Sequence, residues 1–244
     1  TSPLALKAVL EFLRRKYSGR IVIGEGTGFP AMEGYKRLGY IDIAKKYDAE
    51  LKDLSEGPWT DIDVYDRHLN PMRLHYSSFA AECDYRISLC LPKTHDSLRV
   101  TLAIKNLAMA SLKAEIPGGR NSFSRSIQRC VYEKIPPWLK YARLVDSMKK
   151  FIVCRAGVND RVRMHQSYPS HNFNIYLLQK AFPVHLAVID GFTGMEGDGP
   201  ITGKIIDWGV AVASHDAIAA DSLMAYLMCF DSLDIGYIYY CYKA

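Results

Sequence analysis

Lys93, Thr94 and His95 stand directly after the apolar run Leu89-Cys90-Leu91 and Pro92, and Lys105 follows His95 by ten residues. A cation, a hydroxyl and an imidazole delivered at the end of a buried strand can hold an anion and exchange its protons, since imidazole titrates near neutrality. Lys105 would add a second cation to the same place. The plainer alternative is a capped strand-to-helix turn with a solvated lysine and a satisfied histidine.

A second group lies between positions 190 and 200, where Asp190, Glu196 and Asp198 alternate with Gly191, Gly194, Gly197 and Gly199. Glycine permits close backbone approach, and grouped carboxylates suit a hard cation, general-base work or hydroxyl recognition. Gly24, Glu25 and Gly26 form a third group, after Ile21-Val22-Ile23 and before Pro30. Strand, glycine-rich loop and helix is an anion-holding arrangement, although the alternating glycines are not the dinucleotide fingerprint and Glu25 would repel a bare phosphate. His165 and His171, six residues apart in a polar stretch, are further ligand candidates or simply solvated loop histidines.

These groups need a scaffold that brings them to one edge. Short apolar runs at 21–23, 49–54, 85–91, 185–189 and 208–213 read as strands, with a hairpin or strand near 62–65. Amphipathic stretches at 3–17, 40–47, 172–182 and 215–230 read as helices, and Pro30 opens another. Pro92 is expected to stop its strand. Residues 97–112 continue at helical spacing, and Lys105 returns to His95 only if 96–101 turn and a helix starts near Thr101, a natural N-cap. Alternation of strands and helices predicts an α/β fold, with a mostly parallel mixed sheet covered by helices on both faces. In a parallel sheet the loops after the strands share one edge, where ligands bind.

The 244 residues are 49% hydrophobic and 23% charged, as in an ordinary soluble domain. No apolar run approaches the roughly 20 residues of a membrane span, and no secretion signal is visible. Six scattered cysteines without a C-x-x-C pair argue for reduced thiols and a cytoplasmic protein, and against an iron–sulfur cluster within this chain. The net charge of +5 is uneven. Residues 1–110 carry 16 basic against 14 acidic side chains, residues 111–165 carry 12 against 4, and residues 166–244 carry 3 against 8. This suggests an N-terminal lobe over 1–110, a basic helical insertion or lid over 111–165 with helices near 122–134 and 138–151, and a C-terminal lobe over 166–244. Without a nucleic-acid motif or aromatic platform, the basic segment reads as a solvated helix face rather than a nucleic-acid surface. Thr1-Ser2-Pro3 reads as an N-cap and first turn, with an apolar stripe behind it that expects an upstream strand to pack on.

Four segments together resemble a family of uncharacterised proteins known as domain of unknown function 362, many of them iron–sulfur-associated. The segments are 21–28, 91–107, 186–200 and 209–225, which contain Pro92-Lys93-Thr94-His95 and Ala187-Val188-Ile189-Asp190-Gly191-Phe192-Thr193-Gly194-Met195-Glu196-Gly197-Asp198-Gly199-Pro200. Two departures stand out: the ferredoxin-like cysteine motifs of some members are absent, and so is an upstream strand carrying Lys-Pro-Asn. The His95–Lys105 spacing is also similar, more remotely, to that of the lactate-racemase (nickel-pincer) family, whose lysine tethers its cofactor. That family's glycine-rich text and Asp-x-Thr-Arg sequence are missing here.

The expectation from residues and resemblance together is an enzyme of redox or isomerase type acting on a small anionic substrate. A divalent metal or a nucleotide-like cofactor and a ferredoxin-like partner are compatible with it. His95, Lys105 and Asp190 are the expected catalytic residues. Gly24, Glu25, Gly26, Lys93, Thr94, Gly194 and Gly197 would bind the cofactor, and Glu196, Asp198 and His95 a metal. The competing expectation is a non-catalytic carrier for an anionic or metal cofactor. His95, Lys105 and Asp190 are expected to face one cleft.

Overall fold

A computed structural model describes residues 1–26, 30–114 and 159–244. The chain has an α/β fold with mixed sheets. The expected basic helices near 122–134 and 138–151 lie outside the described residues. Among the described residues no helix is long and apolar enough to cross a membrane.

Helix α1 (Pro3–Arg14) opens as its sequence dictates: the Ser2 side chain accepts from the Ala5 N–H at 3.1 Å, and Pro3 occupies the first turn. It buries Leu6 and Leu10 against Ala31, Tyr35 and Tyr40. Arg14 then fastens the helix end by donating to the carbonyls of Tyr47, Gly19 and Asp48 at 2.7, 2.6 and 2.6 Å. Strand β1 (Ile21–Glu25) pairs in parallel with β2 (Ala49–Asp53), so that Glu25 lies opposite Asp53 at the carboxyl end of both. β1 therefore runs two residues further than the apolar run suggested, and Gly24 and Glu25 belong to the strand rather than to the loop. Helices α2 (Ala31–Arg37) and α3 (Tyr40–Lys46) connect the two strands.

An antiparallel hairpin follows, β3 (Trp59–Tyr65) with β4 (Pro71–Ser77), and then a four-residue helix α4 (Ser78–Ala81). The main sheet is built on the long strand β8 (Leu186–Glu196). One flank of β8 carries β9 (Lys204–Ser214), antiparallel along almost its whole length. The other flank carries β5 (Ile87–Cys90) and then β6 (Lys93–His95), both parallel to it. Pro92 interrupts this flank because it has no N–H to give the ladder, but pairing resumes at Lys93 opposite Met195. The three steps from Cys90 to Lys93 match six on β8 from Ile189 to Met195, and on its other flank β8 shifts register against β9 between Gly191 and Thr193.

The structure thus corrects three local expectations. Pro92 does stop β5, as expected, but Lys93–His95 beyond it are strand residues rather than loop. Residues 190–196 are strand as well, not loop. Residues 99–101 are neither loop nor helix but strand β7 (Arg99–Thr101), paired antiparallel with β6 in a tight hairpin that turns through Arg99 at a φ of 67°. That hairpin reverses the chain and lets helix α5 (Ala103–Ala110) start beside His95.

After α5 come α6 (Asp160–Met164), α7 (Tyr168–Ala181), α8 (Ala217–Leu227) and α9 (Gly236–Lys243). α7 begins one turn earlier than its apolar spacing suggested, capped by Ser167 with Pro169 in its first turn, so His171 is a helix residue. The main core, including Leu74, Tyr76, Leu98, Leu102, Ile104 and Ile189, is fully buried between the sheet and these helices.

α6 is held by the 1%-exposed Asp160, whose carboxylate accepts from the His75 backbone N–H and ring Nδ1–H, at 2.7 and 2.8 Å, and from Arg163 at 2.9 Å. Replacing Asp160 by Ala strands these donors. Asp160→Ala is expected to cost about 2–4 kcal/mol in denaturant unfolding, while D63A, at an exposed position of the same hairpin, costs about a tenth of that or less.

Candidate functional site

Three imidazoles meet where β6 ends, α6 ends and α7 begins. The His165 and His171 ring centroids lie 4.1 Å apart, and His95 stands 5.9 Å from the first and 6.5 Å from the second. His95 closes β6, His165 follows the last residue of α6, and His171 sits in the first turn of α7.

Their hydrogen bonds fix two tautomers. The Ser97 backbone N–H can only donate, and it donates to His95 Nδ1 at 3.1 Å; that nitrogen carries the lone pair and Nε2 the proton. Asp96 Oδ1 also lies 3.0 Å from Nδ1. In His165 the arrangement is reversed, with Nδ1–H donating to the Arg161 carbonyl at 2.6 Å. His171 is fully buried, and neither ring nitrogen has a hydrogen-bond partner.

Lys105 reaches the same neighbourhood from α5. It is 4% exposed, and its ammonium donates to Thr101 Oγ1 at 3.1 Å. Among the described residues no carboxylate oxygen lies within ion-pair distance of it. Burial, reinforced by the Lys93 charge and only partly opposed by Asp96, lowers its pKa from 10.5 to about 7. Burial and the Lys105 charge bring His95 down to about 3, and burial pushes His171 well below the usual imidazole range. At neutral pH the site therefore holds two neutral imidazoles of low basicity and a lysine poised to gain or lose its proton. A proton donor, a proton acceptor and a switchable cation share one dehydrated space, which is what binding an anion and moving its protons requires.

Asp190 is placed elsewhere in the hydrogen-bond pattern. Its Oδ2 accepts from the Ser2 N–H at 3.1 Å and its Oδ1 from the Phe192 N–H at 3.4 Å, and its charge acts on Tyr40 and Cys90. Glu25 and the half-buried Arg161 make a neighbouring group. Arg161 donates to the carbonyls of Ala110 and Leu112, and burial lowers its pKa to about 10 against the opposing charges of Glu25 and Asp53. Glu25 keeps surface open to solvent at the mouth of a recess, yet the surrounding protein removes enough water to raise its pKa. A Cβ on Gly26 would sit 1.9 Å from the Ala110 carbonyl oxygen, so only glycine fits there. The charge of Lys93 reaches both groups, acting on Glu25 and Cys90 as well as on His95 and Lys105.

The glycine-rich turn after β8 packs on β6: the Asp96 N–H donates to the Gly199 carbonyl at 3.2 Å, and a Cβ on Gly199 would collide with the Thr94 carbonyl. Thr94 Oγ1 donates weakly to the Met195 carbonyl at 3.4 Å. Gly194 lies against Pro92, and Gly197 takes a φ of 76° in open space. Glu196 and Asp198 are exposed, the former 3.7 Å from Lys204. Among the described residues no group of three or more His, Cys, Asp or Glu is placed to hold a metal ion. Sequence reasoning passed over Arg161 and Ser97, and gave Thr101 the role of N-cap, whereas Leu102 is the N-cap and Thr101 accepts from Lys105; these roles depend on partners distant in the chain or on a hairpin not visible as periodicity.

No solved structure matches the chain. It is 23% identical over 239 residues to a thylakoid-associated protein, sll1697, of Synechocystis sp.. That match covers 96% of the chain but 59% of the relative, so the chain spans less than two thirds of the relative's length. The model of the family described as "Domain of unknown function (DUF362)" matches residues 1–226, which include every side chain of the histidine–lysine cluster, and the chain belongs to that family.

Proposed function

We propose that the chain is an enzyme that binds a small anionic substrate, a hydroxy- or oxo-acid, between Lys93, Lys105 and the three histidines, and moves protons on it in an isomerase- or redox-type reaction. The observation that carries this reading is the pair of unpartnered His171 ring nitrogens beside a buried lysine with no carboxylate at hand. Buried polar groups are normally matched, and a ligand bearing negative charge and acceptor oxygens would match both. Lys93 and Lys105 hold the anion, His95 Nε2–H donates, and His171 offers its unpartnered ring nitrogens. The described residues do not assemble a metal set, so no step is routed through a metal ion. A cofactor contributed at the Gly24–Gly26 or Gly194–Gly197 backbone is compatible with the glycine geometry there. The four described cysteines are free thiols, in keeping with a reducing, cytoplasm-like compartment. The relative's printed thylakoid association would place this chain beside a membrane rather than through it.

Binding is tested by calorimetry and thermal shift with oxalate, lactate, pyruvate and inorganic phosphate. At least one is expected to bind in the micromolar to low-millimolar range, with uptake of protons near neutral pH because the anion restores the Lys105 charge. Binding with no turnover of any carboxylate would favour the carrier reading. If all four anions leave the wild type unmoved, the reading fails.

A second expectation follows from the sign of the shifts. The unfolded chain holds a proton on Lys105 up to about 10.5 and the folded chain only to about 7. Stability should therefore rise as pH goes from about 7 towards 10, and fall between about 6.5 and 3 as the unfolded state protonates His95 and the folded state does not. Lys105→Met is expected to stabilise the empty protein by a few kcal/mol at pH 7, flatten the alkaline rise and abolish anion binding, measured by denaturant unfolding at pH 6, 8 and 9.5.

A further inference from the structure

Lys105 and His171 come from helices 66 positions apart in sequence, and one buried hydrogen-bond network joins those helices. The fully buried Asp221, on α8, accepts from the backbone N–H groups of Ala103 and Ile104 at 2.9 and 3.1 Å. These are the first two residues of α5, whose N-cap residue Leu102 offers no side-chain acceptor. The same carboxylate accepts from the Tyr237 hydroxyl at 2.9 Å. Tyr237, in the first turn of α9 and also fully buried, donates its backbone N–H to Asn172 Oδ1 at 2.9 Å. Asn172 follows His171 directly, and its Nδ2 donates to the Tyr168 carbonyl at 2.8 Å within α7. Space is fully used at this junction, since a Cβ on Gly236 would lie 2.7 Å from Asn172 Cγ.

We propose that Asp221, acting through Tyr237 and Asn172, is a positioning residue that fixes the Lys105 ammonium relative to His171, a role that rests on the histidine–lysine cleft being the ligand site. Asp221 touches no ligand itself. It holds the start of α5, and Lys105 is one residue beyond Ile104. A local cap would stabilise the helix equally well. A carboxylate borrowed from α8 does more, because it ties α5 to α9 and, through Asn172, to the turn that carries His171. Release of the α5 start would draw the ammonium away from Thr101 and from the desolvation that Lys93, Asp96 and His95 share with it, and would admit water.

The test uses the full chain with two variants, Tyr237→Phe, which keeps the ring and removes one hydroxyl, and Asp221→Asn, which keeps the volume and removes the charge. The readout is the pH profile of trace acylation by acetic anhydride, followed at the Lys105 peptide by mass spectrometry with the exposed Lys204 as internal control. Calorimetry with oxalate is run in parallel. In both variants the Lys105 profile is expected to move alkaline by about one pH unit, leaving roughly fivefold less reactive amine at pH 7, while Lys204 stays put. Oxalate affinity should fall about tenfold with it. Should Asp221→Asn not fold, Tyr237→Phe decides alone, since it loses a single hydrogen bond. A folded Tyr237→Phe protein with an unmoved Lys105 profile overturns the proposal, whatever its stability. If oxalate binds neither wild type nor variants, the ligand reading fails, and the acylation profile still decides the positioning role.

Discussion

The constraint on which the rest of this structure depends is the burial of a lysine ammonium beside imidazoles with no carboxylate among the described residues at ion-pair distance. An ammonium taken out of water is tolerated only at a cost, and the protein meets that cost by letting Lys105 and its neighbours titrate away from their ordinary values. A purely structural lysine would have been replaced by methionine or leucine at no loss to the core. Keeping it there makes the fold less stable at neutral pH and, under the function proposed above, would make the cleft a receptor for negative charge. His95 and His171 sharpen this, because burial disfavours their charged forms and they add polar nitrogens to the space without adding charge.

How the fold produces that neighbourhood is partly legible from the chain. The capped start at Ser2-Pro3 and the alternation of short strands and helices lead directly to the α/β architecture. The requirement that residues 96–101 turn, so that Lys105 can approach His95, comes from helix geometry alone. What periodicity does not reveal is that the turn is a hairpin. Val100 and Thr101 are buried by pairing with β6, and three residues carry too little pattern to be told from a loop. The second half of β8 was hidden for a related reason. Glycines and carboxylates at 190–198 read as loop, yet Gly191 lies within the strand, where a Cβ would sit 2.8 Å from the Val210 carbonyl oxygen of β9. His171 is the hardest case. Its neighbours Ser170, Asn172 and Asn174 are as buried as it is, and a polar helix face turned inward has no hydrophobic signature.

Asp190 shows the opposite side of the same problem. Its place just past an apolar run suggested a catalytic carboxylate, but the β8 strand carries on through it, and its oxygens are engaged by the Ser2 and Phe192 N–H groups. The ten-residue spacing of His95 and Lys105, which suggested a likeness to lactate racemase, is likewise a matter of positions only, and the comparisons do not show that likeness. The hairpin between them is what gives the spacing its physical meaning here.

The last step concerns when the cleft can exist at all. A helix capped by its own sequence can form early, since its cap lies within a few residues. α5 has no such cap: the donors of Ala103 and Ile104 wait for a carboxylate 117 and 118 positions away. Its first turn is therefore complete only when α8 has docked, and α8 docks on the sheet that β5, β8 and β9 build. Lys105 is buried by that same event. The cation is hidden from water only once the groups that define the cleft around it are already in place, which spares the folding chain an uncompensated charge in a half-formed core. Function and late assembly are joined at one carboxylate, and the sequence shows only an aspartate in an apolar helix.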